Sequence, residues 1–194
     1  MAIPLQTVPS WVPNVINPQI LFITENYPSN PNAVNNNTFF YRSLNPNIAI
    51  NGGNNLLNNL CRSLNILGNS EGNKLNNFLH TRNYFLIDTF PCGQPMSKML
   101  IKQTINNPAW IDIILDDILY INPNQIVFTC VGSNGALLPI LLNRARQRRL
   151  QILGNAVVNT LGNNNFVFHS PSNRAFQTFM HQIQFAINNG SLIP

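Results

Sequence analysis

Three apolar runs in this sequence each deliver an ionisable residue at the point where the run stops. Ile20-Leu21-Phe22-Ile23-Thr24 meets Glu25 and Asn26 just before Tyr27-Pro28. Tyr84-Phe85-Leu86-Ile87 ends in Asp88, and Asn165-Phe166-Val167-Phe168 ends in His169. Acids are scarce, six Asp and Glu in 194 residues, so two of them at such positions stand out. A carboxylate, an amide and an imidazole gathered at one edge can polarise a water, hold it, and donate to a leaving group. Pro28 forbids further strand, and buried parallel strands end in this manner where their carboxyl ends open into a site.

The elements that must position these residues can be read from periodicity. Residues 1–19 hold Pro4, Pro9, Pro13 and Pro18 and read as an extended arm packed on the rest through Trp11 and Val12. Residues 20–194 form the domain. Strands are expected at 20–24, 84–88, 125–131 and 166–168, with a further short one at either 151–153 or 156–158. Leu56, Leu57, Leu60, Leu64 and Leu67 recur at helical spacing, so a helix is expected over 55–67, stopped by Gly68. Further helices are expected over 73–80, 97–106, 109–120, from Gly132-Ser133-Asn134-Gly135 to Arg149, and over 174–188. This alternation predicts a single-domain three-layer α/β/α sandwich around a short, mostly parallel sheet. Between Tyr27 and Asn54 lies a long polar loop broken by Phe39-Phe40-Tyr41. A loop of that length is usually functional or disordered, and the aromatic triplet argues for function.

Composition sets the outer bounds. Charged residues make up 9% of the chain, well under the usual quarter, and asparagine stands at many surface positions. The formal net charge is +5, a field that favours a polyanion. Cys61, Cys92 and Cys130 have no metal-ligand spacing, and Cys130 reads as a buried small hydrophobe. No basic stretch followed by an apolar one opens the chain, and no apolar run is long enough to span a membrane. The expectation is a reduced, cytoplasmic monomer that uses no metal or other cofactor.

Taken in order, these pieces resemble the uracil-DNA glycosylase superfamily over residues 20 to about 185. Its first motif reads Gly-Gln-Asp-Pro-Tyr-His, Gly-Ile-Asn-Pro-Gly or Gly-Glu-Ala-Pro-Gly in different branches; here it stands as Thr24-Glu25-Asn26-Tyr27-Pro28-Ser29. Its last motif, His-Pro-Ser-Pro, stands as His169-Ser170-Pro171-Ser172-Asn173. The resemblance implies hydrolysis of the N-glycosidic bond of a flipped base in DNA. That reaction leaves positive charge on the sugar and negative charge on the departing base. Glu25 would polarise the water and stabilise the sugar cation, Asn26 would hold the water, and His169 would donate to the leaving base. The blander roles stay open beside these: a salt-bridged Glu25, an Asx turn at Asn26, a strand-exit histidine at 169. Phe39 falls where the family stacks an aromatic on the base, with Phe40 or Tyr41 as substitutes if the register shifts. Asp88 stands where the family commonly has a base-reading asparagine. An ionised carboxylate only accepts hydrogen bonds and would repel a uracil carbonyl, so Asp88 must be protonated, misaligned or facing a base edge with donors, or else cap the backbone of the loop from Thr89 to Gly93.

The remaining signals concern phosphate. Ser133 and Asn134, in a Gly-Ser-Asn-Gly turn, offer backbone amides to an anion. Arg144, Arg146, Arg148 and Arg149 crowd one helix end, where they serve either the helix dipole or DNA phosphates. Asn173 and Arg174 lie where the family carries its duplex-inserting loop, and only Arg174 or Phe176 offers the bulk that an apolar residue usually supplies there. Single- or double-stranded DNA is therefore the expected partner. An inactive nucleic-acid- or protein-binding module on the same fold is the alternative. An enzyme of free nucleosides and a Ser133–His169–Asp88 hydrolase are further readings.

Overall fold

The computed structural model describes residues 5, 7–9, 11–13, 15–26, 40–47, 53–90, 103–129, 134–148, 165–171 and 174–194. Four strands, β1 (Ile20–Asn26), β2 (Tyr84–Phe90), β3 (Gln125–Phe128) and β4 (Asn165–Val167), form an all-parallel sheet in the order β2-β1-β3-β4. The apolar runs of β1 to β3 are buried throughout, as strands covered on both faces must be. β1 and β2 run two residues further than their apolar patterns, to Asn26 and Phe90, because the ladder pairs Asn26 with Phe90. β3 stops at Phe128, and β4 is shifted one residue earlier than expected, with Phe128 paired to Val167.

Five helices are described over their length: α1 (Asn55–Ser63), α2 (Glu71–Asn76), α3 (Pro108–Ile121), α4 (Asn134–Gln147) and α5 (Phe176–Asn188). Residues 103–105 are helical too, and the rest of the helix expected over 97–106 lies mostly outside the described residues. A π-helical turn, Asn77–Thr81, continues α2. The right-handed rule for parallel crossovers assigns α1 and α2 to one face of the sheet and α3 and α4 to the other. The packing agrees: α1 touches α2 and α5, while α3 touches α4. The described chain is thus an α/β sandwich of three layers. Residues 151–158, where an additional short strand was expected, lie outside the described residues.

Local chemistry sets the helix ends. Asn54, Ser70 and Asn107 cap α1, α2 and α3 with side-chain oxygens that accept backbone N–H groups of the first turn, and Pro108 begins α3. α1 does not run to Gly68 as its leucine spacing suggests. It stops at Ser63 because Asn65 takes a left-handed backbone, φ 53°, and the Ile66 N–H reaches back 2.8 Å to the Cys61 carbonyl. Gly68 has another role: a Cβ there would lie 2.8 Å from the Lys74 backbone nitrogen. Asn17, Asn83 and Asn122 also sit at positive φ, where glycine is the usual choice. Part of the asparagine excess therefore shapes the backbone.

The amino-terminal arm packs as expected. Leu5, Val8 and Val12 are buried and Trp11 lies against the core. What fastens it was not legible: the backbone N–H and hydroxyl of Thr7 both donate to Asp117 Oδ2 of α3, at 2.8 and 2.7 Å.

Two of the three aromatics in the triplet depart from their functional reading. Phe39 lies outside the described residues, but Phe40 and Tyr41 are core residues, so neither is available to stack on a base. Phe40 meets the Phe78 ring edge-on at 5.0 Å, and a short 3-10 turn, Arg42–Leu44, follows. The Tyr41 hydroxyl accepts the Leu86 N–H at 2.9 Å and donates to the Leu86 carbonyl at 2.7 Å, satisfying both outward groups of β2 at that point. Tyr41→Phe strands these two buried backbone groups. We expect it to cost about 1–3 kcal/mol in urea unfolding, and a loss under about 0.3 kcal/mol would disprove the assignment.

Candidate functional site at the strand exits

In a parallel sheet every carboxyl end lies on the same margin, so the exits of β1, β2, β3 and β4 share one edge. The strand order adds what no single segment reveals. β1 connects to β2 on one side and β3 to β4 on the other, so the strand order reverses between β1 and β3, the position at which open α/β sheets usually take their ligands.

The β1/β2 exits are the best-defined part of this edge. The ladder sets Thr24 opposite Asp88, and the Thr24 hydroxyl donates to Asp88 Oδ1. The Thr89 hydroxyl donates to the Thr24 carbonyl at 2.7 Å, and the Trp110 indole N–H of α3 donates to the Thr89 carbonyl at 2.7 Å. Asp88 is 4% exposed. Burial pushes its carboxyl up to about 7, against the opposing effect of the Thr24 hydrogen bond. Near neutrality the group is thus divided between a carboxylate and an acid whose O–H can donate, as an amide N–H does. It faces Thr24 within the protein rather than open solvent.

At the β4 exit, His169 is exposed. Its backbone N–H donates to Gln182 Oε1 of α5 at 2.8 Å, and its ring Nδ1 lies 3.1 Å from the same oxygen. Because that oxygen already accepts from the backbone, Nδ1 is the donor. As neutral imidazole the ring therefore presents Nε2 as an acceptor, and it donates through Nε2 only as imidazolium. His169 is held by Gln182 and Asp88 by Thr24, so the two do not form the pair a hydrolase triad needs.

Glu25 and Asn26 complete the backbone of β1, but their side chains lie outside the described part of the structure, as do Phe39, Ser133 and Asn173. Asn134 begins α4, its side chain likewise not described, and Arg174 is exposed. Two arginines of the cluster are paired, Arg146 is exposed, and Arg149 lies outside the described residues. Arg144 grips Asp112 of α3 with a two-pronged bond, Nε to Oδ1 at 2.8 Å and Nη2 to Oδ2 at 2.6 Å. Arg148 lies 2.8 Å from Asp116 and 3.5 Å from Asp112. The Arg144 hydrogen bonds hold the Asp112 carboxyl below the usual carboxylate range. Two arginines facing two aspartates form a locally neutral tie between α3 and α4, which weakens their pull on phosphate. Cys61 is buried, and desolvation raises its thiol to about 12, leaving it unreactive.

Thr24, Trp110 and Gln182 are the site residues that sequence reasoning missed. Thr24 stood in view inside the first run, but only the register pairs it with Asp88. Gln182 lies thirteen residues beyond His169 and carries no local signal.

Together these features define an α/β protein whose described strands form a four-stranded parallel sheet with polar groups collected at its carboxyl edge. Among protein-family models, curated proteins and solved structures, none matches the chain. Among the described residues, no helix is long and apolar enough to cross a membrane.

Proposed function

We propose that the chain is a DNA glycosylase-like enzyme that hydrolyses the N-glycosidic bond of a flipped, altered base, uracil or another deaminated base. One observation carries the reading: the parallel register draws Asp88 alongside Thr24, next to Glu25, on the edge from which His169 also emerges. In this scheme Glu25 polarises the attacking water and Asn26 holds it, while Phe39 stacks on the base. Asp88, in its protonated form, supplies the O–H that a base carbonyl needs once it turns from Thr24 toward the edge, and His169, as imidazolium, donates from Nε2 to the departing base. The scheme draws on side chains alone.

The test is incubation with oligonucleotides carrying uracil, hypoxanthine, xanthine or thymine mismatches, followed by alkaline cleavage. His169→Ala and Glu25→Ala should each slow base release at least about tenfold while leaving the fold intact. Full activity in both variants ends the catalytic assignment. The second reading, an inactive binding module, draws support from the inward-facing Asp88. It predicts salt-sensitive DNA binding with no abasic product.

A further inference from the structure

A cleft of about 210 Å³ lies between the start of α3 and the carboxyl-terminal half of α4, and none of the strand-exit residues lines it. Ile105, Ile111 and Ile140 give it apolar walls, and Asn143, Arg144 and Gln147 supply polar groups. We propose that this cleft is a second, separate ligand site, for a compact neutral molecule with an apolar ring and a carbonyl acceptor.

Three features select that class. The volume falls below the roughly 300–1,000 Å³ of pockets for drug-sized ligands, so the occupant is about one ring in size. Arg144 is held rigid by Asp112 on one side and by Gln147 Oε1, 3.3 Å away, on the other. Those bonds occupy three of its five N–H groups, and the other two have no partner among the described residues. A guanidinium fixed in this way offers donors without further loss of side-chain freedom. Asp112 already balances its charge, so an anion gains little here, whereas a carbonyl oxygen needs only the N–H dipoles. The Asn143 and Gln147 amides add neutral donors and acceptors around the rim.

The probes are valerolactam, a six-membered ring with one amide carbonyl, and benzoate, a ring of similar size carrying an anion. Titrated into the isotope-labelled full chain, valerolactam should give saturable NMR shifts confined to Ile111, Ile140, Asn143 and Arg144. Its dissociation constant should be on the order of a millimolar, as suits so small a ligand. Arg144→Met keeps the stem but removes the donors and should weaken binding at least about tenfold. Ile140→Trp, at a half-exposed position, should fill the cleft and abolish binding. The spectra of both variants report directly whether each is folded. Absence of saturation, shifts scattered over the surface, equal binding in both variants, or tighter binding of benzoate would each overturn the proposal. Base release plays no part in these measurements, so this site and the strand-exit reading stand or fall separately.

Discussion

Replacing Asp88 by Asn should stabilise the protein at pH 8 and leave it little changed at pH 4. The sign follows from the raised pKa. Between the ordinary carboxyl value of 3.8 and about 7, the native protein keeps a proton on Asp88 that the unfolded chain has released. Stability therefore falls as pH rises through that window. Full titration of the shift amounts to about 4 kcal/mol. Asparagine has the shape of the neutral acid, and its carbonyl oxygen can still accept from the Thr24 hydroxyl. The variant should lack this component of the pH dependence. Asp112, whose pKa is lowered, contributes with the opposite sign at more acidic pH, but equally in both proteins. The quantity to measure is thus the difference between the two urea-unfolding curves at several pH values. A difference that stays constant from pH 4 to pH 8 would show that Asp88 does not carry its proton in the native state.

The second large effect concerns Arg42, a fully buried guanidinium whose Nε and Nη2 donate to Glu71 at the start of α2, the shortest bond being 2.7 Å. Glu71 is itself only 12% exposed. Removing one member leaves the other charged inside the protein, so Arg42→Met should cost about 3–5 kcal/mol. Removing both with apolar residues of similar volume, Arg42→Met with Glu71→Leu, should recover much of that loss, because neither charge then remains to be desolvated. Chemical denaturation of the wild type, the two single variants and the double variant gives the coupling. A single-variant loss under about 1 kcal/mol, the value of an exposed pair, would refute the buried-pair reading.

These two residues show where sequence reading succeeds and where it stops. Asp88 was legible because an apolar run ending in a rare acid is a local pattern, and the strand began where the pattern put it, although it continues two residues past Asp88. Arg42 was not, since an arginine in an asparagine-rich loop gives no sign that a glutamate 29 positions away will share its burial. The same limit applied to the Thr7–Asp117 tie and to the arginines at the end of α4, whose charge was visible but whose partners on α3 were not. Helix ends misled for a different reason. Leucine spacing continues past Ser63, but the left-handed Asn65 ends the helix through backbone geometry rather than through hydrophobic pattern. Strand order was beyond reach as well: periodicity says which residues are buried, not which strands are neighbours.

The phenol of Tyr41 has a consequence beyond the two hydrogen bonds it makes. β2 is an outer strand of the described sheet, and outer strands are templates on which a second molecule can lay its own backbone and begin to aggregate. With the Leu86 N–H and C=O already occupied, an incoming chain finds no continuous row of free groups there. At the opposite margin of the described sheet β4 offers only three residues, too few to nucleate such growth. Crowded protein should therefore resist strand-to-strand polymerisation until the segment carrying Tyr41 detaches.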